Sequence, residues 1–108
     1  MSNSIESSKK AALDSIAEME LLLRKYCVSN WAKSFAHHSK MLNRSFSAEN
    51  IHNALKVFEG GMGSFNDLVI CRANGHNVKE DKEKMAWHEL EVLRQKVWKN
   101  LNECKNAL

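Results

Sequence analysis

Apolar residues recur along this chain at steps of three and four, and the recurrence fails between Gly60 and Val78. Steps of three and four trace one face of an α-helix, so the pattern predicts four helical stretches and one irregular segment. The first stretch runs from about Ser4 to Val28. Ala12, Ile16, Met19, Leu23 and Tyr26 form its stripe, Leu21 and Leu22 widen it, and the Ser4 hydroxyl can cap its start. The second runs from about Asn30 to Asn43, with Asn30 as N-cap. Trp31, Phe35 and Leu42 make its core face, and Ser39 lies on the same line.

The third stretch starts at Ser47, a good cap, with Glu49 in the first turn facing the positive end of the helix dipole. Ile51, Leu55 and Phe58 form its stripe, and Gly60 or Gly61 would end it in the left-handed conformation. The fourth runs from about Lys79 to Ala107. Its acids Glu80, Asp81 and Glu83 come first and Lys99 and Lys105 come late, the order that the dipole favours. Ala86, Leu90, Leu93, Val97, Leu101, Cys104 and Leu108 make a sustained stripe. Trp87 and Trp98, close to three turns apart, share a flank of this helix, which could span ~40 Å. The fold expected is all-α: a compact bundle of four main helices in a single domain, residues 1–108.

Three of the chain's four glycines fall within Gly60-Gly61-Met62-Gly63, and there is no proline. In the irregular segment Phe65, Leu68, Val69 and Ile70 supply apolar bulk. Ser64 could cap a short helix through Leu68, or Leu68 to Cys71 could be extended. The short helix is preferred, because a lone strand has nothing to pair with. Asn74-Gly75 is a turn dipeptide. Loops this long inside a compact domain are more often functional than short connectors are.

Composition narrows the function classes. With 108 residues, 44% of them hydrophobic, the chain can fill one modest core. No apolar run approaches the ~20 residues of a membrane span. The N-terminus lacks a basic region followed by an apolar one, so no secretory signal is expected. Cys27, Cys71 and Cys104 are odd in number and widely spaced, which fits reduced thiols in a cytoplasm. The net charge of +3 is small, and the basic residues of Lys79-Glu80-Asp81-Lys82-Glu83-Lys84 alternate with acids. That run reads as a solvated helix start, and no direct contact with nucleic acid is expected.

The glycine cluster does not match a phosphate-binding loop, since Gly63 is followed by Ser64 and Phe65 rather than by Lys and Ser or Thr. The dinucleotide pattern needs a preceding strand, and the preceding segment reads as helix. Of the five histidines, His37, His38, His52, His76 and His88, none falls in a metal-binding spacing, so neither metal nor cofactor is expected. Cys71, His76 and Asp67 include the residue types of a nucleophilic site, but Cys71 closes an apolar run and reads as core. Glu89 and Glu91 cannot share a helix face. No catalytic residue is assigned, and the expectation is a protein that is not an enzyme. Asn66, Asp67 and Asn74 suit capping of their own loop, with Arg72 and His76 nearby, which would leave a rigid loop to present its other side chains. The candidate partner-binding residues are Phe65, Asn66, Asp67, Arg72, Asn74, His76, Trp87 and Trp98.

The string Gly60-Gly61-Met62-Gly63-Ser64-Phe65-Asn66-Asp67-Leu68, followed by Asn74-Gly75-His76, resembles the core of a small bacterial helical domain family. Leu22-Leu23-Arg24-Lys25-Tyr26 and Asn30-Trp31-Ala32 are also similar to it, so the resemblance covers roughly Leu13 to Asn77 and leaves the last helix outside. The family carries no activity to transfer. Such short helical proteins are similar to immunity proteins of contact-dependent inhibition and other polymorphic toxin systems. The resemblance implies a cytoplasmic protein that binds and neutralises a cognate toxin domain. Inhibitors that cover a nuclease site are often acidic. This slightly basic chain would instead bind away from a basic cleft or meet an acidic toxin surface. The alternative is a regulatory or adaptor domain, with homodimerisation through the Trp87/Trp98 flank. A third reading is a hydrolase-like enzyme using the loop from Gly60 to Asn77.

Overall fold

A computed structural model describes residues 2–59 and 65–108, without the side chains of residues 2–4 and of Asp67. It contains four α-helices: α1 (Ser2–Lys25), α2 (Ser29–Arg44), α3 (Ala48–Leu55) and α4 (Glu83–Ala107). Single 3₁₀ turns lie at Lys56–Phe58, Phe65–Asp67, Arg72–Asn74 and Glu80–Lys82, and there is no strand among the described residues. The expectations that fell on residues 60–64, a helix-ending glycine and a Ser64 cap, lie outside the described residues. The long helix α1 packs against both α2 and α4, and α3 packs on α2 and α4, within a body of 47 × 23 × 21 Å.

The helical stripes form the core. Ala12, Ile16, Met19 and Leu23 of α1 and Tyr26 just after it are all buried, as are Phe35 and Leu42 of α2, Ile51 and Leu55 of α3, and Ala86, Leu90, Val97, Leu101 and Cys104 of α4. Each fully buried side chain of this kind is worth roughly 1.5–3 kcal/mol over its exposed state. Ser15 is also buried, and its hydroxyl donates to the Ala12 carbonyl at 2.8 Å, which removes the cost of an unpaired polar group. Two expected stripe members are not core. Leu21 is exposed because it sits about 200° around the helix from Leu23, and Leu108 is exposed because it follows the last turn of α4. Trp31 is half-buried rather than fully inside.

The helix ends differ in how well local chemistry foretold them. Ser47 caps α3 as expected, accepting from the Asn50 amide at 3.2 Å. Asn50 also holds the α2–α3 turn, its Nδ2 donating to the Ser45 carbonyl at 2.8 Å and the Met41 carbonyl at 3.2 Å. Ser4 lies within α1, which already begins at Ser2, and Asn30 does not cap α2, where buried Val28 holds the N-cap position. The third helix stops at Leu55, earlier than the glycines, and passes through the 3₁₀ turn to an extended Glu59.

The α1–α2 junction explains the displaced cap. Cys27 lies in the left-handed region at φ 58°. Its amide donates to the Arg24 carbonyl at 3.1 Å and the Val28 amide to the Leu23 carbonyl at 2.8 Å, the paired bonds of a Schellman end. Val28 and Leu23 are both buried, supplying the hydrophobic contact that accompanies this motif. The chain therefore turns two residues before Asn30.

Candidate functional site

The segment from Phe65 to Lys79 has no helical ladder or strand partner, so its backbone polar groups need other partners. Phe65 anchors it. Its ring is fully buried against Phe35 (centroids 4.8 Å apart), Trp31 (5.0 Å) and Phe58 (5.7 Å). Burial removes Phe65 from the set of surface contact residues: an aromatic with no exposed area offers nothing to a partner. Asn66 is exposed, and its Nδ2 donates across the intervening stretch to the Phe58 carbonyl at 2.7 Å.

The largest single share of the polar account is met by Arg94 of α4. Only 5% exposed, it occupies a core-phase position between Leu90 and Val97. Its Nη1 donates to the carbonyls of Phe65 and Asn66, both at 2.8 Å, and its Nη2 to that of Leu68 at 3.2 Å. Nη2 also pairs with the Glu91 carboxylate one turn earlier, and the guanidinium carbon lies 5.6 Å from the centroid of the Phe65 ring. A planar fork of donors suits three carbonyls of one short turn in a way an ammonium cannot. The Nε has no acceptor among the described residues.

Downstream the loop closes on itself. Asn74 Nδ2 donates to the Val69 carbonyl at 2.9 Å, and His76 Nδ1 accepts from the Cys71 amide at 3.2 Å. Gly75 takes the left-handed conformation, φ 79°, with open space where a Cβ would stand, and its amide donates to the Arg72 carbonyl at 2.9 Å. The Arg72 amide donates to Glu83 Oε1 at 3.1 Å, and its exposed guanidinium approaches Glu80 at 3.8 Å. The Asn77 amide donates to the Tyr26 carbonyl at 2.9 Å, which docks the loop on the turn after α1, and the Tyr26 hydroxyl donates to Glu89 of α4 at 3.0 Å. Asn74 and His76 therefore each spend one polar atom inside the loop, and Asn66 spends its Nδ2 on Phe58. Asp67 is in the same 3₁₀ turn as Phe65 and Asn66, and its side chain lies outside the described residues.

His76 Nδ1 is engaged as an acceptor, which puts the ring proton on Nε2, and the partner is the Cys71 amide rather than its thiol. The thiols are free: Cys27 exposed, Cys71 half-buried and Cys104 buried. Burial, together with the Glu103 charge, pushes the Cys104 thiol up and keeps it protonated. No group of three or more His, Cys, Asp or Glu able to hold a metal ion occurs among the described residues.

Trp87 and Trp98 are about half exposed, eleven positions apart along α4, with Glu91 and Arg94 on the line between them. Trp98 borders an open groove of about 610 Å³ lined also by Phe58, Asn66, Glu91, Arg94, Gln95 and Lys99. Trp87 lies outside that groove. A smaller depression of about 390 Å³ at the start of α2 holds Cys27, Trp31, Asn74 and His76. The structure thus brings Asn66 to the Trp98 groove and Asn74 and His76 to the second depression, so the expected site residues do not form one surface. Arg94 and Glu91 escaped the sequence reading. The available signal was an arginine exactly in phase with Leu90, Val97 and Leu101, where Leu93 was read as the core residue instead.

These features define a small all-α domain whose one long loop is clamped to its last helix. The chain belongs to the family described as a domain of unknown function (DUF6966), whose model matches residues 24–79, just over half of its length. The matched stretch holds the Cys27 turn, α2, α3 and the loop, and ends before Arg94. No curated protein and no solved structure matches the chain.

Proposed function

We propose that this chain is an immunity protein, which binds a cognate bacterial toxin domain stoichiometrically and neutralises it without catalysis. The observation that carries the reading is the α4 flank: two half-exposed tryptophans, one of them beside an open groove with an arginine floor. Tryptophan and arginine are the residues that dominate binding energy at protein interfaces. The likeness of short stand-alone helical proteins such as this one to immunity proteins of toxin systems is in keeping with the same reading. No helix among the described residues is long and apolar enough to cross a membrane, and the proposed place of action is the cytoplasm.

The test is a tagged copy recovered from its native bacterium. Recovery of a toxin C-terminal domain in one-to-one ratio supports neutralisation, and protection should then be lost in a folded Trp98→Ala variant. Recovery of the chain alone, or of a regulatory protein, overturns it. The exposure of Trp87 and Trp98 also favours a second reading, an adaptor that pairs with itself through this flank, for which sedimentation should show a dimer that Trp98→Ala weakens.

A further inference from the structure

The loop's polar groups are met by α4 and by its own side chains, whereas the groove on α4 leaves aromatic surface and a lysine open. Its walls are aromatic: half-exposed Trp98 and half-buried Phe58, whose ring stands edge-on to Phe65. Its floor is the largely buried Arg94, whose guanidinium is spent on the loop carbonyls and Glu91. The charge around it is uneven. On α4, Glu89 faces Lys25, Glu91 faces Arg94, and Glu83 accepts from the Arg72 amide. Lys84, Lys99 and Lys105 have no ion pair among the described residues, and of the helix's acids Glu83 and Glu103 have none there. The unpaired charge of the helix is therefore positive, and Lys99 lines the groove itself.

We propose that this groove is the anchor site for an acidic segment of a partner protein. The segment seats one apolar side chain between Trp98 and Phe58 and sets a carboxylate against Lys99. Seating the apolar group removes water from both rings, and the drier groove strengthens the attraction to Lys99. This rests on the partner-binding reading above. It selects an acidic toxin surface over attachment away from a basic cleft.

Short random peptides displayed on phage and panned against the full chain test it without a known partner. The enriched peptides should share a large apolar residue flanked by Asp or Glu. Their binding should fall about tenfold or more in Trp98→Ala, several-fold in Lys99→Glu, and steadily as salt rises. Leu21→Ala, on another helix and exposed, should leave it unchanged. Basic or uncharged consensus peptides, no enrichment at all, or binding indifferent to Trp98→Ala would each overturn the proposal. So would a dimer that Trp98→Ala abolishes, since the occupant would then be a second copy. A toxin that binds the Trp98→Ala and Lys99→Glu variants normally would refute the groove and leave the immunity reading standing. Acidic peptides that bind at Trp98, with no toxin recovered, would do the reverse.

Discussion

The α1–α4 pair and the loop from Phe65 to Lys79 are held by opposite means. The two long helices meet through apolar stripes, and the polar contacts between them, such as Lys96 with Glu18 at 3.2 Å, are exposed and contribute little. The loop buries Phe65, Ile70 and Val78 and is otherwise fixed by side-chain bonds to its backbone, three of them from a single arginine on another element. In the helices, therefore, the loss of any one contact is shared among neighbours, whereas in the loop structure is concentrated in a few residues, Phe65, Ile70 and Arg94.

The severest way to break this contrast is Phe65→Ala. It empties a site lined by Phe35, Trp31, Phe58 and the Arg94 guanidinium, and should cost about 3–5 kcal/mol, a large share of the ~5–15 kcal/mol that holds a domain of this size together. Urea denaturation followed by far-UV circular dichroism measures it. A loss below ~1 kcal/mol would mean that the loop is an appendage rather than part of the core.

Arg94→Met sharpens the contrast, because it keeps the apolar stem and removes only the polar work. The carbonyls of Phe65, Asn66 and Leu68 lose their donor and Glu91 is left without its cation, so the expected cost is about 3 kcal/mol. Amide exchange should accelerate in residues 65–79 more than in the middle of α1. Adding Glu91→Gln should recover about 1 kcal/mol, since it removes the stranded charge. Arg94→Lys should remain impaired, because one ammonium cannot span three carbonyls. Uniform exchange along the chain would show that the clamp is not local.

The same contrast explains what could be read from the sequence. The helical periods of α1 and α4 were legible because burial on a helix leaves a repeat in the chain, and the cap at Ser47 because its partner, Asn50, is three residues away. The clamp was not, because Arg94 is 26 to 29 positions from the carbonyls it holds and no local rule links them. Phe65 was legible as apolar bulk but not as interior, since a segment without a period has no inward face. Leu21 misled because it borders buried Leu22 and Leu23 in sequence yet points away from them in space. The turn at Cys27 was hidden for another reason: the left-handed position of a Schellman end usually carries glycine, and here it carries cysteine.

That cysteine offers a smaller test, on the helical side of the comparison. A side chain at φ 58° is strained, so Cys27→Gly should stabilise the fold by about 0.5–1 kcal/mol, the relieved strain exceeding the extra freedom of glycine in the unfolded chain. Cys27→Ala keeps the Cβ and should be near neutral. If glycine destabilises, the exposed thiol makes a contact in the depression beside His76 that outweighs its backbone cost.

The smallest expected effect concerns α2, where His38 lies half-buried with its ring 5.5 Å from that of His37. Burial holds its pKa below the ordinary 6.5, and the His37 charge adds to this. The sign follows from linkage. The unfolded chain binds this proton more readily than the folded one, so stability contributed by neutral His38 is present above about pH 6.5 and is lost as pH falls below it, levelling off under the folded value. Melting temperature should therefore decline gently from neutral pH into the mildly acidic range, before carboxylate protonation adds its own loss. His38→Gln, which cannot take the proton, should flatten that slope while leaving the loop's exchange rates as they were. A slope that survived in His38→Gln would place the titrating group elsewhere. Loop exchange that followed pH in step with it would mean that the helices and the Arg94 clamp are coupled, and not the two separately held regions that their bonding describes.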